Sequence, residues 1–189
     1  MNIPIKNIFI LILLWIIAFF AHKCLVPNAK TPLLIAIFDS TTHGFIAFVM
    51  IFPFLLSKII NWKLVLIILI PAVLIDIDHA IVAHSVAVED MIKLETRPLS
   101  HSLLFSLGFS LLFALILRIK EKTHSYCLLF YSFFLTLSSH ILRDSINSKG
   151  TFWAYPFDAP VVSEIMFFVV FVGISMGSVV FVKWNFEIK

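Results

Sequence analysis

WKLVLIILIPAVLIDIDH, residues 62–79, decides how this chain is read. No charged residue occurs from Leu64 to Ile75, and then two acids and a histidine arrive within four positions, at Asp76, Asp78 and His79. An apolar run of about 20 residues, folded as a helix, matches the roughly 30 Å hydrocarbon core of a bilayer. Working outward, five further apolar stretches lie at about 5–22, 33–57, 102–119, 125–146 and 161–183, separated by loops rich in Pro, Lys, Ser and Asn. The pattern predicts an all-α, polytopic membrane protein with about six transmembrane helices in one bundle, a single transmembrane domain over 1–189.

Composition agrees. The chain is 61% hydrophobic and 13% charged, with 21 Phe and a mean hydropathy of +1.06, which excludes an ordinary soluble domain. A net charge of +3 spread over segment ends argues against a nucleic-acid partner, which needs a clustered basic face. Cys24 and Cys127 fall at opposite membrane sides in this scheme, so no disulfide is expected, and neither has CxxC spacing. The run Ile8–Ala21 carries Phe19 where a signal-peptidase site needs a small residue, so it is read as a first transmembrane helix. Eight basic residues on one side against six on the other place both termini in the cytoplasm.

The polar residues carry the functional reading. Asp39 and His43 sit early in the second stretch, Asp76, Asp78 and His79 end the third, His101 opens the fourth, and His140 and Asp144 close the fifth. An up-and-down bundle brings all four places to one membrane face, extracytoplasmic in the orientation above. An ionised Asp in mid-bilayer costs roughly 2.5–3.5 kcal/mol even on insertion scales, so each needs compensation. A shared divalent cation supplies it, and carboxylates with imidazoles are ligands for zinc, the first expectation, or for manganese or magnesium. His43, Asp76, Asp78, His79, His101, His140 and Asp144 are the candidate ligands, with Arg97 placed to neutralise a phosphate.

Each has a plainer reading. Asp39 could cap a helix, His140 and Asp144, four apart, could tie two helices by a hydrogen bond, and Arg97 could be a membrane anchor. Pro71 marks where the third helix could end and turn Asp76–His79 inward. Gly44 leaves space for close approach of a neighbouring helix or ligand. His22, His84 and His124 are taken as interfacial side chains, and Trp15, Trp62, Trp153 and Trp184 as lipid-facing bulk and interface belt. Gly173 and Gly177 form a Gly-x-x-x-Gly packing face, either internal or for a homodimer.

In order, Thr-His-Gly at 42–44, Pro71 with Asp-Ile-Asp-His at 76–79, Arg-x-x-x-His-Ser-Leu-Leu at 97–104, Ser-His-Ile-Leu-x-Asp at 139–144, then Gly150, Trp153 and Pro156 resemble the YdjM-type membrane-bound metal-dependent hydrolases, small bacterial inner-membrane proteins. The resemblance covers about residues 40–157 and leaves the helix at 5–22 as an addition. It implies a metal-dependent hydrolase with His43, Asp76, Asp78, His79, Ser100, His101, Ser102, His140 and Asp144 at the matching positions. Thr96 stands where the family usually has a histidine, which implies fewer ligands, a substitute such as Glu95 or His84, or reduced activity.

The expected chemistry is hydrolysis of a phosphoester in a membrane lipid or lipid-linked substrate, with Asp76 or Asp78 as ligand or general base. The rival is a divalent-cation or proton transporter, since intramembrane acids and histidines also mark ion pathways. The nearly apolar opposite halves of the spans favour a one-sided site. A third reading is a structural protein whose polar cluster locks helix packing.

Overall fold

The computed structural model describes residues 5–25, 27–94, 98–120, 125–147, 152–154, 157–158 and 164–186. Eight helices follow one another: α1 Ile5–Cys24, α2 Pro32–Leu56, α3 Trp62–Leu74, α4 Asp78–Ala83, α5 Val88–Ile92, α6 Leu103–Lys120, α7 Tyr126–Asp144 and α8 Glu164–Phe186. A small hairpin, β1 Phe152–Ala154 and β2 Phe157–Asp158, pairs antiparallel, Phe152 opposite Asp158. The architecture is all-α as expected, with this hairpin as the one irregularity.

Local chemistry sets the helix starts. Thr31 caps α2 by accepting from Leu34 N, Asn61 caps α3 from Leu64 N at 2.9 Å, and Ser125 caps α7 from Leu128 N at 3.2 Å, each satisfying an orphan N–H. Asp39 is therefore not a cap. Thr31 begins α2, and Asp39 lies two turns inside it.

Pro71 does not end its helix. α3 runs through it to Leu74, and only then does the backbone tighten into a 3-10 turn, Ile75–Ile77, before α4 continues to His84 at φ 50°. That turn re-aims Asp76 relative to Asp78 and His79. A second 3-10 turn, Leu99–His101, delivers His101 just before α6, whose start is closed by Phe105 N donating to Ser102 Oγ.

Four segments, Lys6–Cys24, Pro32–Leu56, Trp62–Ala83 and Leu103–Lys120, are long and apolar enough to cross a membrane. α7 has 19 residues but is not among them, and α8 has 23, with Met166–Ser175 an apolar run among the described residues. Burial explains α7. With α2 it forms the centre of the bundle: α2 packs on α1, α3, α7 and α8, while α7 packs on α2, α3, α6 and α8. A helix shielded by other helices needs no lipid-compatible face, so α7 carries Ser132, Thr136, Ser138, Ser139, His140, Arg143 and Asp144, all buried. The outer helices carry the exposed apolar load, such as Phe9, Leu13 and Phe20 of α1 and Leu104, Leu112 and Leu115 of α6.

One reading of the aromatic residues needs correction. Trp15 is not lipid-facing: it is 3% exposed and meets Phe168 edge-on at 6.0 Å, docking α1 onto α8. Trp62 is exposed as expected, while the Trp153 and Trp184 side chains lie outside the described residues. Among the described residues, a Cβ at Gly173 or Gly177 would meet nothing within 4 Å. Gly44 behaves as read, its missing Cβ allowing Val73 Cγ2 to approach to 3.0 Å of the position a Cβ would take. Cys24 and Cys127 are both free and exposed.

Candidate metal centre

The predicted places do converge. Around the ends of α3 and α7, the start of α6 and the early part of α2, His43, Asp76, His79, His101, His140 and Asp144 meet in groupings of three whose ligand atoms all lie within 4.8 Å of one another. Asp39 joins them, in a grouping with His43 and Asp144. These groupings could hold a divalent ion. His43, His101, His140 and Asp144 are at most 1% exposed, whereas the side chains of Asp39, Asp76 and Asp78 are 23–24% exposed and form the mouth.

Hydrogen bonds fix the imidazoles in ligand-ready form. His140 Nδ1 donates to the carbonyl of Ala72 at 3.0 Å, so its proton is on Nδ1 and Nε2 turns a lone pair inward. His79 Nδ1 likewise donates to the Asp76 carbonyl at 3.2 Å. His101 Nδ1 lies 3.1 Å from Ser100 Oγ.

The inward atoms are the informative ones. His101 Nε2 is 3.2 Å from Asp76 Oδ1, 3.3 Å from His140 Nε2 and 3.5 Å from Asp144 Oδ2. Nε2 carries at most one proton for these three neighbours. Neither ring nitrogen of buried His43 makes a hydrogen bond, although Nε2 lies 3.2 Å from Asp144 Oδ1 and 3.6 Å from Asp39 Oδ2, and its ring stacks on His140 at 3.5 Å. An unmade buried hydrogen bond costs about 1–3 kcal/mol, and a cation among these atoms would offset that cost. The residues fit a metal on this ground as well as by type.

Asp78 sits slightly apart. Its Oδ1 is 3.2 Å from His79 Nδ1 and its Oδ2 is 3.9 Å from His101 Nδ1, behind both rings rather than in the groupings. That position suits orienting the two imidazoles. Arg97, Thr96, Glu95 and His124 lie outside the described residues, as do Gly150 and Pro156. His84 is exposed and belongs to none of the groupings, so among the described residues it does not replace the missing histidine.

Sequence reasoning missed two residues. Arg143 was counted as a topology anchor, yet it is fully buried: Nη2 pairs with Asp39 Oδ1 at 2.5 Å, Nη1 donates to Asp39 O at 3.4 Å, and Nε donates to His22 Nδ1 at 3.3 Å. His22, read as interfacial, is 6% exposed and ties α1 to this network. The available signal was the adjacency of Arg143 to Asp144 on a helix whose polar residues were already being read as interior.

The opposite halves are also less apolar than read. Ser106 and Ser110 of α6 and Ser132 and Thr136 of α7 are buried below the site. Ser110 and Thr136 donate to their own helix backbones at Ser106 O and Phe133 O, and small side chains let α6 and α7 pack closely. The titratable cluster itself stays at one end. No curated protein and no solved structure matches the chain. The family described as YdjM inner membrane protein matches residues 38–187, which include every acid and histidine of the cluster and leave only α1 and the start of α2 outside. With that match over most of its length, several apolar helices and the ordered motifs now seen in one place, the chain belongs to the YdjM inner membrane protein family.

Proposed function

We propose that this protein is a multi-pass, metal-dependent hydrolase of phosphoester bonds in a lipid or lipid-linked substrate. The observation that carries the reading is the convergence of His43, Asp76, His79, His101, His140 and Asp144 in groupings whose ligand atoms lie within 4.8 Å of one another. In this reading α7 and α8 complete six spans, both termini face the cytoplasm and the site opens on the extracytoplasmic side.

His43, Asp76, His79, His101, His140 and Asp144 would hold the ion, zinc by ligand type, or manganese or magnesium. When bound, a divalent ion supplies Lewis-acid activation of water and of the phosphoryl group. The chain's own groups do the rest. Asp78 orients His79 and His101, and partly exposed Asp76 is placed at the mouth to take a proton. Arg97, four residues before His101, neutralises the phosphate. Exposure of Asp39, Asp76 and Asp78 lets a headgroup reach the site laterally while its chains stay in lipid. The outward Gly173 and Gly177 face is the proposed homodimer contact, checked by cross-linking cysteines placed at 173.

A transporter needs titratable or polar steps through the whole membrane depth. Among the described residues, the buried polar groups below the site are hydroxyls in a helix–helix contact, which supports the enzyme over the conduit. Phosphate release from long-chain phosphatidate and polyprenyl diphosphate in mixed micelles, with each of the three cations, is the deciding experiment. Release lost in Asp76→Ala and His140→Ala is expected. No release from either lipid class, together with cation flux into proteoliposomes, would replace this reading with the transporter.

A further inference from the structure

We infer that the site is built for two adjacent cations, with Asp39, His43 and Asp144 forming the second position and Arg143 holding it in place. This rests on the metal reading above and deepens it.

Two of the groupings share no residue. Asp76, His79 and His101 make one grouping and Asp39, His43 and Asp144 another, each with one ligand atom per residue inside 4.8 Å. His140 lies between them, its Nε2 3.4 Å from Asp76 Oδ1 and 3.6 Å from Asp144 Oδ2, and its two further groupings bridge the sets, one with His43 and Asp76 and one with His101 and Asp144. A tetrahedral zinc takes about four ligands. One such ion would leave about three of the seven converging residues without a metal bond.

Charge points the same way. Asp39, Asp76, Asp78 and Asp144 face one guanidinium, because Arg143 is the only buried lysine or arginine among the described residues. With neutral histidines, one divalent ion leaves the site anionic, which repels a phosphoryl group. Two leave it cationic by one charge, which suits an anionic phosphoester.

Arg143 is then a positioning residue. It binds Asp39 Oδ1 and leaves Oδ2 facing His43 Nε2, so the carboxylate is aimed by a group that does not itself touch a ligand position. Through His22 the same guanidinium makes α1, which lies before the family match, part of the support of the second position.

The test is manganese loading of the full-length protein in detergent, with ions per chain counted by elemental mass spectrometry and coupling read by electron paramagnetic resonance. Two manganese ions per chain with an exchange-coupled spectrum are expected for the wild type. Asp39→Asn, nearly isosteric, should bind one and show an uncoupled six-line signal, and His79→Ala should do the same from the other side. Arg143→Lys should weaken the second ion by about tenfold or more and leave the first unchanged, a split that a general loss of packing does not produce. One ion per wild-type chain, or two coupled ions retained in Asp39→Asn, overturns the two-position assignment alone. No ion in the wild type overturns the metal reading of the previous subsection together with it.

Discussion

Arg143→Met removes the buried guanidinium while keeping an unbranched apolar stem in its place. In the wild type Arg143 is fully buried and its Asp39 partner is 24% exposed. Removing one partner of a buried ion pair costs roughly 3–5 kcal/mol because the other charge stays behind. Partial solvation of Asp39 puts this case at the low end, about 3 kcal/mol, and loss of the donor to His22 Nδ1 adds about 1 kcal/mol. The assay is equilibrium unfolding in detergent–SDS mixtures with EDTA present, so that ion binding contributes nothing. Fluorescence of Trp15, packed on Phe168 and Phe171, reports the docking of α1. Adding Asp39→Asn to Arg143→Met should recover at least half of the loss, since it removes the uncompensated charge. A single variant within about 0.5 kcal/mol of wild type, or a loss unchanged by the second substitution, would refute the pair as a structural tie.

Other outcomes follow from the same contacts. Gly44→Ala should cost about 1–3 kcal/mol, because its Cβ meets Val73 Cγ2 at 3.0 Å, and Val73→Ala should restore most of it in the same unfolding assay. Trp15→Ala should cost about 3–5 kcal/mol and release α1 to limited proteolysis, as truncating a fully packed aromatic does. Metal affinity should fall between pH 7.5 and 5.5 in calorimetric titrations, because imidazole ligands bind ions only when neutral; an unchanged affinity would count against the histidines as ligands.

Much of the fold was legible because bilayer thickness sets helix length. All six apolar stretches reappear as helices or as a helix with a short continuation, α3 through α4. Convergence of the acids and histidines was legible too, since alternating helices send residues at alternate ends to one face. What was not legible depends on who surrounds whom. α7 is the least lipid-like of the long helices because it lies in the middle, and no periodicity in its own sequence says so. Arg143 follows the rule for a membrane anchor when read along the chain, and only the fold shows Asp39 and His22 closing around it. Trp15 looks like any interfacial tryptophan until Phe168 and Phe171 arrive from a helix some 150 residues later. Pro71 was expected to stop its helix, but proline removes only one N–H, and the turn came four residues on, at Ile75–Ile77.

Metal content of the detergent-purified protein, wild type beside His140→Ala, tests the central claim most directly. His140 contributes to two of the groupings and is held by a backbone carbonyl, so its loss removes a ligand while leaving the buried Arg143–Asp39 pair in place. The account predicts stoichiometric divalent metal in the wild type and a large loss in a variant that still elutes as a folded species. Wild-type protein that carries no metal and takes up none of zinc, manganese or magnesium on reconstitution would contradict it.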